Sequence, residues 1–373
     1  MKKFFQIFLC LLVISCNNDD DSQQPIVGGP TINPSPGEPE YLKDFANYPI
    51  GNTVSAAELS SSSNTNMAFK EVLNNEFNSV TAGNDMKMYN MFPAADTYDW
   101  SDGDAIVSYA KEHGMRVHGH TLIWHPEYSI PDWLENFSGT DEEFSLQVEN
   151  YIKATVAHFA EALDDDGNPI VTSWDVVNEA FTSDAEAAIF RQRIGEDYVS
   201  KCFQWAREGD PNVKLFYNDY NIAGDPNKRS NIIAMVNDFQ TNGIPIDGIG
   251  MQMHLNHDWP APSELQSAIQ DIANTGLLVH ISELDVKVNY NDDFTELTDE
   301  RAQAQSDQYQ RVAYYYRTIV PPANQYGITI WGVRDQDSWL SDGGTEWPLL
   351  YDDNFEPKPA YDGFVEGLKG NAP

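Results

Sequence analysis

The chain has 373 residues, and 22 Lys+Arg against 58 Asp+Glu leave 22 − 58 = −36 formal charges at pH 7. Such an excess repels phosphate from almost any face, so sequence-independent nucleic-acid binding is excluded and anionic lipid surfaces are disfavoured. With 41% apolar and 12% aromatic residues, the chain can still bury a core and is not an acidic disordered tail.

Residues 1–15 read as an address. Met1-Lys2-Lys3 is basic, and Phe4 to Ile14 is apolar except for Gln6. That run is shorter than the roughly 20 residues a membrane span needs, and it has the charge order of a signal peptide. Val13-Ile14-Ser15-Cys16 looks like a bacterial lipobox, with Cys16 as the lipidated new N-terminus; a plain secretory signal cleaved nearby is the alternative. The acidic run Asn17-Asn18-Asp19-Asp20-Asp21 resembles a surface-export signal of lipoproteins. The expectation is secretion across the inner membrane and an outer-membrane or cell-surface location, with membrane contact only through the lipid. Residues 16–41 are rich in Asp, Ser, Pro and Gly, and no Lys or Arg occurs between Lys3 and Lys43, which reads as an extended tether. Cys10 falls in the signal and Cys16 carries lipid, so Cys202 alone remains, without a disulfide partner and as a buried small hydrophobe.

Residues 42–370 read as one folded domain. Strand-like runs centre on Ile50–Val54, Ser79–Gly83, Arg116–Leu122, Thr172–Val177, Lys214–Tyr217, Gly248–Met253, Leu277–Ser282 and Ile328–Val333. Most are Val/Ile-rich without clean alternation, as parallel strands covered on both faces require. Helical period fills the gaps: Phe144, Val148, Tyr151, Ile152, Thr155, Val156 and Phe159 share one face, and Tyr309, Val312, Ala313, Tyr316 and Ile319 repeat it. Asp141 is a cap or first-turn acid, and Gly276 and Gly327 stand where a helix C-cap needs a left-handed residue. Asp164-Asp165-Asp166-Gly167-Asn168 lacks the EF-hand spacing and reads as an acidic helix–strand turn. Strand–helix alternation of this kind predicts an α/β fold, a (β/α)8 TIM barrel with a single catalytic domain. An open doubly wound sheet is the alternative, disfavoured because no Gly-rich phosphate loop follows the first strand.

Barrel chemistry belongs to residues at the C-terminal ends of strands. Those positions hold Asn84 and Lys87, His120 and Trp124, Asn178 and Glu179, Asn218, Asp219 and Tyr220, Gln252 and His254, Glu283 and Asp285, and Trp331 with Trp339 beyond. Two carboxylates ending different strands among Trp, Asn, Gln and His suggest sugar chemistry. For an isolated Glu179 a helix-dipole acid is the simpler reading, and for Glu283 a rim salt bridge; the full set outweighs both. His118 and His120 lie two apart and His254 and His257 three apart, but neither pair has an HExxH pattern or a third ligand, so hydrogen-bonding histidines are expected and no metal.

The strings Gly119-His120-Thr121-Leu122-Ile123-Trp124-His125, Trp174-Asp175-Val176-Val177-Asn178-Glu179-Ala180, Tyr217-Asn218-Asp219-Tyr220-Asn221, Gln252-Met253-His254, Ser282-Glu283-Leu284-Asp285, Trp331-Gly332-Val333 and Asp337-Ser338-Trp339 together resemble glycoside hydrolase family 10, over about residues 42–370. The resemblance implies an endo-β-1,4-xylanase acting by a retaining double displacement, without cofactor, on xylan or xylo-oligosaccharides, as a monomer. Glu179 would be the acid/base and Glu283 the nucleophile, the carboxyl pair such cleavage needs. By the same resemblance His254 hydrogen-bonds Glu283 with Asp285 orienting its ring, and Asn178 meets the sugar 2-hydroxyl. Asn84, Lys87, His120 and Gln252 would bind glycone sugars. Trp124, Trp331 and Trp339 would form stacking walls, with Tyr220 also at the substrate. Trp100, Trp174 and Trp205 read as packing. The chain departs from the family at Glu127, where Gln is usual, at Ala223, where Glu is frequent, and at Arg334, where Thr is usual. The departures bear on branch tolerance and linkage preference, not on the catalytic pair. Both carboxylates being present argues against a non-catalytic glycan-binding protein, and Lys87 fits a sugar hydrogen bond better than an aldolase Schiff base. A related barrel glycosidase acting on mixed-linkage xylan or β-glucan is the alternative enzyme.

Overall fold

The computed structural model describes residues 40–373 except 186, 187 and 342. The signal at 1–15, Cys16 and nearly all of the 16–41 tether lie outside the described residues.

Among the described residues ten strands run in chain order: β1 Ile50–Val54, β2 Ser79–Ala82, β3 Arg116–Gly119, β4 Ile123–Trp124, β5 Val171–Asn178, β6 Lys214–Asp219, β7 Gly248–Met251, β8 His254–Asn256, β9 Leu278–Lys287 and β10 Gln325–Ile330. All pair in parallel, and eight of them close a barrel in the order β1-β2-β3-β5-β6-β7-β9-β10 and back to β1. Closure is set by Ile50 opposite Ile328 and Asn52 opposite Ile330. The short β4 and β8 continue the predicted third and sixth strands after a break, placing Trp124 opposite Asn178 and His254 opposite Asp285. All eight predicted strands are barrel strands. The seventh runs further than its apolar run suggests, to Lys287, with Val279–Val286 buried throughout.

The helices form as their patterns require. In the helix Asp141–Ala160 the seven residues predicted to share a face are the seven that are buried. Its N-cap is Thr140 rather than Asp141, with a capping box to Glu143, and Asp141 serves as a first-turn acid. Cys202 is buried in the core on the helix Tyr198–Gly209. Trp174 and Trp205 are core residues, and Trp100 stacks on Tyr98 and His158. Asp164 turns the acidic loop before β5, its carboxylate accepting from the backbone N–H of Asp166 at 2.9 Å and of Asn168 at 2.7 Å.

Gly276 follows the helix Pro262–Ala273 with φ +75°, the left-handed conformation expected there. Gly327 corrects its prediction: it caps no helix but lies inside β10, with φ +149°. The seam between β10 and β1 explains the residue. The Ile328 N–H donates to Pro49 O at 3.1 Å, and a Cβ on Gly327 would stand 2.6 Å from that same oxygen. Gly327→Ala is therefore expected to destabilise the barrel by roughly 1–3 kcal/mol, measured as a lower urea midpoint with unchanged m-value.

Candidate active site

Glu179 follows the last residue of β5 and takes φ +61°, unusual for a residue with a Cβ. The neighbouring strand holds it there: the Glu179 N–H donates to Asn218 O and the Ala180 N–H to the Tyr217 hydroxyl, both at 2.9 Å. The Tyr217 hydroxyl donates in turn to Asp219 at 2.5 Å, and Lys228 Nζ lies 2.5 Å from the other Asp219 oxygen. Glu179 Oε1 accepts from the amides of Asn178 at 3.1 Å and Gln252 at 2.9 Å.

Glu283 sits within β9 and is only 5% exposed. Its Oε1 accepts from Asn218 Nδ2 at 2.7 Å, and its Oε2 lies 3.3 Å from His254 Nε2. The other ring nitrogen, His254 Nδ1, is 2.9 Å from Asp285 Oδ2. Ionised carboxylates only accept, so a ring facing one on each side must donate from both nitrogens and is an imidazolium. Burial acts to lower the His254 pKa, but the Asp285 charge and the bonds to Asp285 and Glu283 raise it to about 10. Burial pushes the Glu283 carboxyl up, yet the His254 bond and the charges of His120 and His254 bring it below its ordinary value. The nucleophile candidate is thus held as an anion.

Asn218 joins the two carboxylates. Its Nδ2 also donates to Asn178 Oδ1 at 3.0 Å, and that oxygen accepts from Gln252 Nε2 at 3.2 Å. The Ser282 hydroxyl donates to Asn218 Oδ1 at 2.6 Å. Glu283, Asn218, Asn178, Gln252 and Glu179 therefore form one continuous network.

The remaining predicted residues surround this pair. Lys87 Nζ donates to Asn84 Oδ1 at 2.9 Å and lies 4.7 Å from the centre of the Trp124 ring. His120 Nδ1 is 2.9 Å from Asp175 Oδ2, and its ring meets the Trp331 ring edge-to-face at 5.5 Å. Trp339 is 64% exposed, and its indole N–H donates to Asp285 Oδ2 at 3.0 Å. Tyr220 is exposed, with Lys228 Nζ 3.6 Å above its ring. Gln252, assigned to sugar by resemblance, spends its amide on Glu179 and Asn178. Among the departures, Arg334 folds onto Asp337 and the Phe355 ring, while Asp335 is buried against Lys358 at 2.8 Å. Ala223 is buried and Glu127 is exposed.

Three residues outside the predicted set prove structural to the site. Asn218 bonds the Glu283 carboxylate and the Glu179 N–H, Asp175 Oδ2 lies 2.9 Å from His120 Nδ1 and 3.0 Å from His118 Nε2, and Tyr217 supports the backbone at Glu179. Asn218 stood at a strand end in a recognised string, which was the available signal. Asp175 and Tyr217 also fall in recognised strings, but inside strands, where their roles depend on cross-strand neighbours.

The sequence profile of Glycosyl hydrolase family 10 matches residues 41–367. Endo-beta-1,4-xylanase Xyn10C of Cellvibrio japonicus is 37% identical over 358 residues, covering 89% of this chain and 58% of that protein. Endo-1,4-beta-xylanase A of Cellvibrio japonicus (strain Ueda107) is 35% identical over 357 residues, covering 88% and 56%. The chain thus spans little more than half the length of these two relatives. A mutant of xylanase10C from Cellvibrio japonicus in complex with xylopentaose superposes with a TM-score of 0.81 at 35% identity, covering 90% of this chain and 70% of that one.

The raised His254 pKa has a thermodynamic consequence. A group whose pKa rises on folding stabilises fully below its unfolded value, near 6.5, and loses that contribution as pH rises through about 10. Unfolding free energy should therefore fall across that window, read by urea titration. Asp285→Asn is expected to lower stability at neutral pH and to flatten the alkaline decline.

Proposed function

The chain belongs to Glycosyl hydrolase family 10, and from that premise we propose that it is an endo-β-1,4-xylanase working by a retaining double displacement. The observation that carries the reading is the contrast between two networked carboxyls. Glu283 is buried against an imidazolium, while the recorded side-chain donors to Glu179 are neutral amides. An anion and a proton carrier are what the two steps need.

In the first step Glu283 attacks the anomeric carbon, and Glu179 passes its proton to the departing glycosidic oxygen. The Glu283 charge is consumed in the ester. In the second step Glu179 takes a proton from water, whose oxygen attacks the same carbon and releases Glu283 as carboxylate. Asn178, bonded to Glu179 and linked to Glu283 through Asn218, would meet a sugar hydroxyl whose bond strengthens toward an oxocarbenium-like transition state. Trp339, Trp331 and Trp124 supply apolar faces for the rings. The anchored location belongs to the same proposal: lipid on Cys16, followed by the acidic tether, would hold the barrel at a membrane surface while leaving the cleft free for a polymer.

Glu283→Ala should lower kcat/KM on xylo-oligosaccharides by roughly a thousandfold or more with an unchanged circular dichroism spectrum; retained activity would remove Glu283 from the nucleophile role. Proton NMR of the first-formed product should show the β-anomer, and an α-anomer would overturn the double displacement. Cellobiosides turned over faster than xylobiosides would move the substrate to a β-glucan. In the native host, Cys16→Ala should shift the protein from the membrane fraction to the soluble fraction.

A further inference from the structure

Beside Glu179 lies a cleft of about 320 Å³ lined by His125, Glu127, Tyr128, Glu135, Asp184 and Ile189 among others. That volume is at the lower end for a small-molecule site, about 300 Å³ upward. The cleft joins the catalytic region through two contacts. The Tyr128 ring packs edge-to-face on Trp124 at 5.4 Å. Thr182 Oγ1 lies 3.2 Å from His125 Nε2 and donates to Glu179 O at 3.4 Å.

We propose that this cleft is a pocket for an uncharged sugar branch on the substrate, and that it selects against a branch carrying a carboxylate; the proposal rests on the xylanase reading. Three features carry it. Tyr128 is 73% exposed, a large aromatic face left bare at the rim, where the apolar side of a sugar ring can stack. The lining described holds three carboxylates and no Lys or Arg. Carboxylates accept readily from sugar hydroxyls but repel a uronate. Burial, then the neighbouring Glu127, push the Glu135 carboxyl up, so the pocket already disfavours added negative charge. A cation is the other ligand that acidic groups suggest, yet among the described residues no three His, Cys, Asp or Glu groups converge closely enough to hold a metal ion. Carboxylates spread around a sugar-sized space fit hydroxyl recognition instead. Glu127, where the family usually has Gln, would then be part of the discrimination.

The test uses the full chain with three matched sets of xylo-oligosaccharides: unbranched, arabinofuranosyl-branched and glucuronosyl-branched. Wild type should favour the arabinosyl over the glucuronosyl set by about tenfold or more in kcat/KM. The double variant Glu135→Gln, Asp184→Asn should narrow that ratio by at least about threefold and move the unbranched rate by less than about twofold. An unchanged ratio overturns the proposal. An equal change on unbranched chains overturns it too, by making the cleft a main-chain subsite. Turnover of none of the three sets counts against the xylanase reading, and ligand-observed NMR then reads the cleft alone. Methyl arabinofuranoside binding that disappears in Tyr128→Ala supports the pocket. Binding that survives that change, or equals that of methyl glucuronoside, overturns it.

Discussion

One carboxylate oxygen, Asp285 Oδ2, ties the charge of the site to the shape of the cleft. It accepts from His254 Nδ1 at 2.9 Å and from the Trp339 indole at 3.0 Å. Asp285 is fully buried, and an isolated buried charge is costly. His254 offsets that cost by becoming an imidazolium, and its other nitrogen then faces Glu283. The same oxygen holds an indole that is otherwise mostly in water. The anionic state of Glu283 and the position of an aromatic wall therefore share an anchor. Changing Asp285 itself alters both electrostatics and shape.

The groups between the two glutamates are amides, which suits the acid/base role proposed for Glu179. A carboxyl that gives and later takes a proton needs neighbours that tolerate both states. A fixed cation beside it would trap the anion, as His254 does for Glu283. Asn178, Asn218 and Gln252 supply donors without that bias. Asn218 is saturated on both ends, by Ser282 on its oxygen and by Asn178 and Glu283 on its nitrogen. A buried network with its groups satisfied is rigid, so the separation of the two carboxyls is set by strand register rather than by loop packing. Asn178 opposite Asn218 in the β5–β6 ladder is that register.

The strands were legible because doubly covered parallel strands are apolar runs, and helix faces because burial follows the 3.6-residue period. The extension of β9 past Ser282 was hidden by Glu283, Asp285 and Lys287, whose polarity breaks the run while the backbone continues. Gly327 departs from its expectation because a glycine between a helix and a strand looks the same whether it caps one or lies within the other; the β10–β1 seam decides. The site residues at strand ends were visible as residues, and the string resemblance supplied roles for Glu179, Glu283 and His254. The supports Asp175, Tyr217 and Asn218 were not assigned, since what they touch depends on cross-strand neighbours that appear only when the barrel closes. The excess of negative charge says little about the site itself, which turns on one imidazolium among a few carboxylates.

The left-handed turn at Glu179 leans on the neighbouring strand. That backbone is strained for a residue with a side chain, and its supports come from β6: Asn218 O on one N–H and the Tyr217 hydroxyl on the next. Tyr217 is fixed by Asp219, which lies against Lys228. Burial raises the Asp219 carboxyl to about 6 even with Lys228 and Tyr217 drawing it down, so the pair is held by enclosure as much as by charge. The position of Glu179 thus depends chiefly on the neighbouring strand, the following segment adding one longer contact, Thr182 Oγ1 to Glu179 O at 3.4 Å. In that following segment Thr182 is tied to His125 and to Glu179 O, while Asp184 lines the acidic cleft. On the branch-pocket proposal, substitution of Asp184 would then change which branches the cleft admits without displacing the Glu179 carboxyl.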